Sequence, residues 1–171
     1  MAIWNDTDIP MGYLLTFRTY GSWLHGDRRG SIDRFHNRYG APYLGPSQIR
    51  QTHDQRLLKG EPLLLQAEQR QSVESAVREV CEHRCWVLHA LNVRTNHVHV
   101  VLTIGTGNPG RALNDLKAYT TRRMRRDGLW KEQHSPWADR GSKRYLWSER
   151  SLVLASDYVV NSQGDDLPKF E

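Results

Sequence analysis

The chain has 171 residues, of which 38% are hydrophobic and 25% charged, and this composition predicts one globular domain over residues 1–171. Lys and Arg total 24 against 19 Asp and Glu, and the net charge of +5 favours a polyanionic partner such as nucleic acid. The N-terminus carries no secretion signal, and no apolar run reaches about 18 residues. We therefore expect a cytoplasmic protein without a membrane partner.

The first half of the chain predicts a strand, a long insertion and a helix. Residues 12–20 are rich in β-forming side chains and predict the first strand. Residues 21–63 are rich in Gly, Pro, Asp, Asn and Arg and predict an irregular insertion. Its His25 and Asp27 are either structural residues or part of an active site. Apolar residues at helical spacing predict the first helix over 64–84.

Two cysteines lie at the end of this first helix. Cys81 and Cys85 are four residues apart, which predicts two buried thiols on one helix face. The alternative is a zinc site completed by His83 or His89, although the spacing matches no common zinc motif.

The second half of the chain predicts three strands and two helices. Strands are expected over residues 85–93, 97–104 and 143–147, and helices over 111–127 and from Ser148 to about Ser162. The complete order βαββαβα predicts an α+β fold, in which a ferredoxin-like antiparallel four-stranded sheet carries two backing helices. The C-terminal helix is an addition, and the first and third strands form the centre of the sheet.

The third strand carries a His-x-His pair. Strand side chains alternate between faces, so His97 and His99 point the same way and lie about 7 Å apart, close enough to share a metal ion. The opposite face is aliphatic and predicts the core, with Val98, Val100, Leu102 and Ile104. Because both backing helices cover that aliphatic face, we expect the histidines on an open, central platform.

The C-terminal helix carries a tyrosine beside polar residues. A divalent metal ion can polarise a phosphate while the hydroxyl of Tyr158 attacks it. The amide oxygen of Asn161 or Gln163 is a candidate third ligand. Mixed imidazole and amide ligands suit Mg²⁺ or Mn²⁺, and Mn²⁺ is the easier match to nitrogen.

These motifs together resemble those of the HUH endonucleases. More narrowly, they are similar to the single-tyrosine transposases, including the REP-associated tyrosine transposases. Three features carry the resemblance: the strand with the pattern polar-Asn-His-hydrophobic-His-hydrophobic, the basic helix, and the helix that contains Asp-Tyr-Val-Val-Asn. The resemblance covers residues 11–19 and 64–166. It implies that His97 and His99 bind Mg²⁺ or Mn²⁺, and that Tyr158 attacks a DNA phosphate to leave a 5′-phosphotyrosine link and a free 3′-hydroxyl.

The resemblance also bears on ligands and partners. Members often place the third ligand four residues after the tyrosine, but that position is Ser162 here. We favour Gln163 over Asn161, because the Gly that follows it allows the helix to end. The resemblance implies single-stranded or hairpin DNA as substrate, and either a homodimer or a monomer as the active form.

The second helix adds a basic cluster and a rival nucleophile. We expect its cationic side chains to contact DNA phosphates, although a solvated helix face is the alternative; they are Lys117, Arg122, Arg123, Arg125 and Arg126. Tyr119 lies on the same helix, but the family motif falls on Tyr158.

Two other functions are compatible with the same residues. One is a non-catalytic ferredoxin-like nucleic-acid-binding protein, which would present aromatic side chains in place of the two histidines. The other is a domesticated nickase that cuts DNA without moving it.

Overall fold

The computed structural model describes residues 8–22 and 60–161, together with positions 48, 49, 52 and 56. Residues 8–22 and 60–161 form four strands and three helices: β1 Gly12–Arg18, α1 Ala67–His83, β2 Val87–Val93, β3 His97–Thr103, α2 Pro109–Arg126, β4 Ser142–Leu146 and α3 Glu149–Asn161. The first six elements confirm the ferredoxin-like order, and α3 is the added helix. Most of the predicted insertion at 21–63, including His25 and Asp27, lies outside the described residues.

The four strands form one antiparallel sheet in the order β2-β3-β1-β4. β1 and β3 are therefore the central pair, as the sequence predicts. In their register His97 faces Arg18 and His99 faces Thr16. Directly opposed residues of an antiparallel pair project from the same face of the sheet. The histidine pair is thus held in the middle of the sheet, where both neighbouring strands restrain it.

One face of the sheet packs against α1 and α2 and forms the main core. Val98, Val100 and Leu102 of β3 are completely buried there, which confirms the alternation predicted for this strand. The helices meet them with aliphatic side chains at helical spacing, including Val73, Val77, Val80, Leu113 and Leu116. Ile104, the fourth predicted core residue, packs against the rim of the same cluster.

Helix α1 begins at Ala67 instead of at residue 64, because the chain before it is extended. The N–H of Leu63 donates to the carbonyl of Tyr20 at 2.8 Å, and the N–H of Leu65 donates to the carbonyl of Thr95 at 2.7 Å. These bonds hold residues 63–65 against other parts of the chain, and the helix starts only after Gln66, whose backbone is extended. One bond attaches the segment to the chain just after β1, and the other attaches it to the chain just before β3.

The opposite face of the sheet is partly covered by α3. Val159 is completely buried and packs with Leu14, Ala90, Val101 and Leu146 in a second, smaller core. The expectation of an open platform is therefore wrong for this part of the face. Val159, together with the partly buried Leu152 and Ala155, would otherwise stay in water, and burying these side chains on the sheet is favourable.

Two local features place α3 against the sheet. Ser148 caps the helix as predicted, because its hydroxyl accepts a hydrogen bond from the N–H of Ser151 at 3.1 Å. Gly12 permits the close approach, since a Cβ at that position would lie 2.8 Å from Cδ1 of Leu152 and 3.1 Å from the carbonyl oxygen of Leu102. Across the described part of the chain, no helix combines the length and the apolar character needed to cross a membrane.

Candidate active site

His97 and His99 project from the α3-covered face of β3, next to the end of that helix. Their ring centroids lie 4.5 Å apart, and the rings meet edge to face at 70°. His97 is almost completely buried, with 2% of its surface exposed, while His99 is partly exposed. The strand therefore brings the two imidazoles together as predicted, in a more enclosed position than an open platform would give.

Each imidazole is oriented by an oxygen atom at Nδ1. The Nδ1 of His97 lies 2.8 Å from Oδ1 of Asn96, and the Nδ1 of His99 lies 2.7 Å from the hydroxyl oxygen of Thr16. A ring that donates from Nδ1 presents Nε2 as its metal donor, and such partners fix the ring orientation of metal-binding histidines. Two imidazoles with this support fit a divalent cation.

Tyr158 comes to the histidines from α3. Its ring centroid lies 5.9 Å from that of His99, and 46% of its surface is exposed. The next residue, Val159, is buried in the smaller core. Because Val159 is packed there, Tyr158 is held beside the histidines. Three groups from two separate elements thus meet on one face of the sheet.

Asn92 fastens the end of α3 to the sheet. Its side-chain nitrogen donates to the carbonyl of Val159 at 2.9 Å. That carbonyl belongs to the last turn of the helix as described, where carbonyls need partners from outside the helix. Asn92 is also the residue of β2 that lies opposite His99. One side chain therefore links the strand pair that carries the histidine to the turn that carries Tyr158.

Thr16 and Asn92 carry no local signal in the sequence that points to this site. Both residues are defined by the strand register, because Thr16 and Asn92 are the partners of His99 on its two sides. Strand pairing joins residues far apart in the chain, and no local pattern reveals it. Asn96 belongs to the motif that contains the two histidines, but the sequence does not predict its contact with His97.

Of the two candidate third ligands, Asn161 and Gln163, only Asn161 lies within the described residues. Asn161 is exposed, and its side-chain nitrogen donates to the carboxylate of Asp157 at 2.7 Å along the helix. Gln163 lies outside the described residues. Within the described ranges, no group of three His, Cys, Asp or Glu side chains is placed to hold a metal ion.

The rival tyrosine lies on the other side of the sheet. Tyr119 packs against the main core, and the guanidinium carbon of Arg122 lies 4.6 Å from its ring centroid. The main core contains Val98 and Val100, which project away from His97 and His99. The sheet therefore separates Tyr119 from the histidines, and its contacts are those of a packing residue.

Comparison with known proteins identifies the family. Residues 58–161, more than half of the chain, match the family model described as "Transposase IS200 like". The chain belongs to the IS200-like transposase family. This is a family of metal-dependent HUH transposases, and membership implies nuclease activity.

Solved structures with a similar fold include two transposases. A candidate transposase from Deinococcus radiodurans R1 is 15% identical, with a TM-score of 0.46, over 94% of this chain and 97% of that one. The structure described as a REP-associated tyrosine transposase bound to a REP hairpin is 14% identical, with a TM-score of 0.48, over 95% of this chain and 73% of that one. No curated protein matches the chain.

In this IS200-like transposase, the basic residues of α2 have different partners. Lys117 donates from Nζ to the carbonyls of Ala138, at 2.8 Å, and Arg140. Arg125 donates to the carbonyls of residues 132–134. Burial lowers the pKa of Lys117 to about 8, an effect that Asp139 opposes and Lys143 reinforces. Lys117 and Arg125 thus hold the backbone between α2 and β4.

The remaining arginines of α2 differ in how far they are engaged. Arg123 pairs with Glu79 and with Asp127, which it meets at 3.0 Å, and these two hydrogen bonds raise its pKa. Arg126 approaches Asp127 only at 3.9 Å, and its side chain is 68% exposed. Arg126 is therefore less engaged with protein groups than Arg123, and Arg122 is exposed beside the ring of Tyr119.

The two cysteines do not share one environment. Cys81 is buried in α1, and burial raises the pKa of its thiol to about 11. Cys85 lies beyond the helix with a positive φ of 56°, and it is exposed. The prediction of two buried thiols on one helix face is therefore wrong, because the helix ends at His83. The alternative zinc ligand His89 instead contacts the hydroxyl of Thr103 at 2.8 Å.

Proposed function

We propose that this protein is a metal-dependent single-strand DNA endonuclease and strand transferase that acts through Tyr158. The observation that supports it is the meeting of three groups on one sheet face. His97 and His99 have ring centroids 4.5 Å apart on a central strand, and the Tyr158 ring lies 5.9 Å from His99. A histidine pair beside a tyrosine hydroxyl suits phosphoryl transfer to tyrosine.

The proposed cation is Mg²⁺ or Mn²⁺, held by Nε2 of His97 and His99. The contacts of both Nδ1 atoms with oxygen support this assignment. The proposed third ligand is the amide oxygen of Gln163, because the Gly that follows it allows the helix to end. When bound, the cation polarises the scissile phosphate and stabilises the charge that develops on its oxygens.

The proposed step is a transesterification. The hydroxyl oxygen of Tyr158 bonds to phosphorus and loses its proton to solvent. The bond from phosphorus to the 3′-oxygen breaks, and that oxygen takes up a proton, which leaves a 3′-hydroxyl and a 5′-phosphotyrosine link. Attack by the 3′-hydroxyl of another strand on this link rejoins DNA and restores Tyr158. One protomer supplies both histidines and the tyrosine, so this step needs no second copy.

The proposed substrate is single-stranded DNA beside a hairpin. The resemblance to the REP-associated transposases implies such a substrate. Arg122 and Arg126 are the α2 side chains we propose as phosphate contacts, because Lys117, Arg123 and Arg125 are engaged with protein groups. Phosphate contacts of this kind add salt-dependent affinity without reading sequence.

The deciding experiment is a cleavage assay on a pool of 5′- and 3′-labelled single-stranded hairpins with Mn²⁺. Wild type is compared with Tyr158→Phe and, as the matched control, Tyr119→Phe. We expect a covalent protein–DNA adduct in wild type and Tyr119→Phe, and none in Tyr158→Phe. Loss in Tyr119→Phe alone would overturn the assignment. DNA binding with no adduct in any variant would favour the non-catalytic binding protein.

A further inference from the structure

Two exposed aromatic rings lie at the end of the edge strand β4, one within the strand and one on the residue that follows it. Tyr145 and Trp147 are each 47% exposed, and their rings are nearly parallel at 16° with centroids 6.0 Å apart. Tyr13, which is buried, supports them by meeting Tyr145 edge to face at 5.0 Å. Large aromatic side chains are costly to leave in water, and an exposed stacked pair is typical of a binding surface.

The same edge is positively charged. Lys143, Arg144 and Arg150 are exposed, and within the described chain none of them forms an ion pair. Glu149 is the one acidic residue between positions 142 and 150. Cations without carboxylate partners beside stacked rings complement a polyanion that carries flat, apolar groups.

The register of β4 connects this edge to the histidines. Tyr145 lies opposite Tyr13, and both project toward the helices α1 and α2. Arg144 lies opposite Leu14, which belongs to the smaller core on the histidine face. Successive residues of β4 therefore point to the two faces of the sheet. A chain that crosses this edge can stack on the aromatic pair and then pass Arg144 toward His99.

We propose that Tyr145 and Trp147 form a stacking platform for the bases of single-stranded DNA that crosses the β4 edge, with Lys143 and Arg144 contacting its phosphates. This proposal rests on the proposed function, since it assigns a path to the strand that flanks the scissile phosphate. Duplex DNA does not fit the role, because paired bases are stacked on one another and their faces are not accessible.

The test measures binding of fluorescent dT20 to the full chain in EDTA with the Tyr158→Phe background, so that no cleavage step contributes. We expect Trp147→Ala to weaken binding by about tenfold, within the range of stacking on one aromatic side chain. We expect Trp147→Phe, which retains a ring, to bind within about threefold of the parent. Binding of a 20-base-pair duplex should not change. The control is Val153→Ala, which removes an exposed apolar side chain from α3.

A second measurement does not depend on whether the variants fold. Photocrosslinking of the unaltered protein to dT20 that carries 5-iodouracil should label the peptide containing Tyr145 and Trp147. Crosslinks confined to other peptides would overturn the proposal, as would equal binding by Trp147→Ala and the parent. A change in sedimentation of Trp147→Ala without a change in DNA affinity would also overturn it, in favour of contact with a second copy of this chain.

The two proposals can fail separately. If the platform binds DNA and Tyr158 forms no adduct, the proposed chemistry fails while the platform stands. If Tyr158 forms the adduct and Trp147→Ala binds dT20 like its parent, the platform fails while the chemistry stands.

Discussion

The two faces of β3 are built from adjacent residues but have different physical roles. On one face Val98, Val100 and Leu102 are completely buried against α1 and α2. On the other face His97 and His99 lie beside the end of α3, and only Val101 is part of an apolar cluster there. The first face supplies free energy of folding through burial, and the second uses that rigidity to hold polar groups in place.

The difference shows how a small domain can carry a polar cluster near its centre. A β-strand separates its two sets of side chains completely, so the histidines do not interrupt the main core. Helix α3 then shields one side of the histidine pair without closing it, since His99 remains partly exposed. Substitutions on the two faces should therefore have separable effects on activity and stability.

The largest expected effect is on activity, from the histidine face. His99→Ala should lower the rate of adduct formation by about a thousandfold, since a bound metal ion contributes several kcal/mol to transition-state stabilisation. Its free energy of unfolding should fall by only about 1 kcal/mol, the worth of the contact with Thr16. Rate assays and urea unfolding measure the two quantities. Full activity in His99→Ala would refute its role at the metal.

The main core face should show the opposite behaviour. Leu102→Ala removes a completely buried side chain and should lower the free energy of unfolding by about 2–5 kcal/mol. The adduct rate of the folded fraction should stay near that of wild type. Val153→Ala, at a position that is 59% exposed, is the control and should change stability by less than about 0.5 kcal/mol. A loss of activity in Leu102→Ala without loss of stability would contradict the separation of the two faces.

Asn92 provides a sharper test because it joins the two strands and α3 on the histidine face. Asn92→Asp cannot donate to the carbonyl of Val159, so the turn that carries Tyr158 should lose its restraint. We expect the adduct rate at saturating DNA to fall by about tenfold, since small misplacements of a reacting group are costly. The DNA concentration for half-saturation should not change. A parallel change in rate and half-saturation would indicate a general structural defect.

A smaller effect separates the arginines of α2. Arg126→Gln should reduce the slope of log affinity against log salt by about 1, as expected for one phosphate contact. Arg123→Gln should mainly lower the free energy of unfolding, because its partners are Glu79 and Asp127. Titrations of DNA binding at several salt concentrations distinguish them. An equal change of slope in both variants would show that Arg123 leaves its carboxylates to bind DNA.

The smallest effect is a pH dependence from Lys117. Its pKa in the folded protein is about 8 against an ordinary value of 10.5, because burial disfavours the charge. Between these values the unfolded chain holds a proton that the folded chain has released, so the free energy of unfolding rises with pH. Relative to Lys117→Met, wild type should therefore gain stability from pH 7 to pH 9 in urea unfolding. No relative gain would mean that the ammonium group is well solvated.

Much of the fold and part of the candidate active site could be predicted from the sequence. Period-two alternation assigned His97 and His99 to one face of β3 and the valines to the core, because side-chain direction in a strand is a local property. Local signals also located the strands and helices to within a few residues, including the Ser148 cap of α3. The Asp-Tyr-Val-Val-Asn motif directed attention to Tyr158, which lies beside His99.

Only the tertiary structure decided which groups meet across the chain. Thr16 and Asn92 flank His99 because of strand register, and α3 covers part of the histidine face because its buried Val159 needs an apolar partner. The partners of Lys117 and Arg123 likewise lie on other segments, so a basic helix that favoured DNA contacts by composition proved to hold the protein together in part. Periodicity and capping act between near neighbours, whereas register, burial and ion pairing depend on residues brought together by folding.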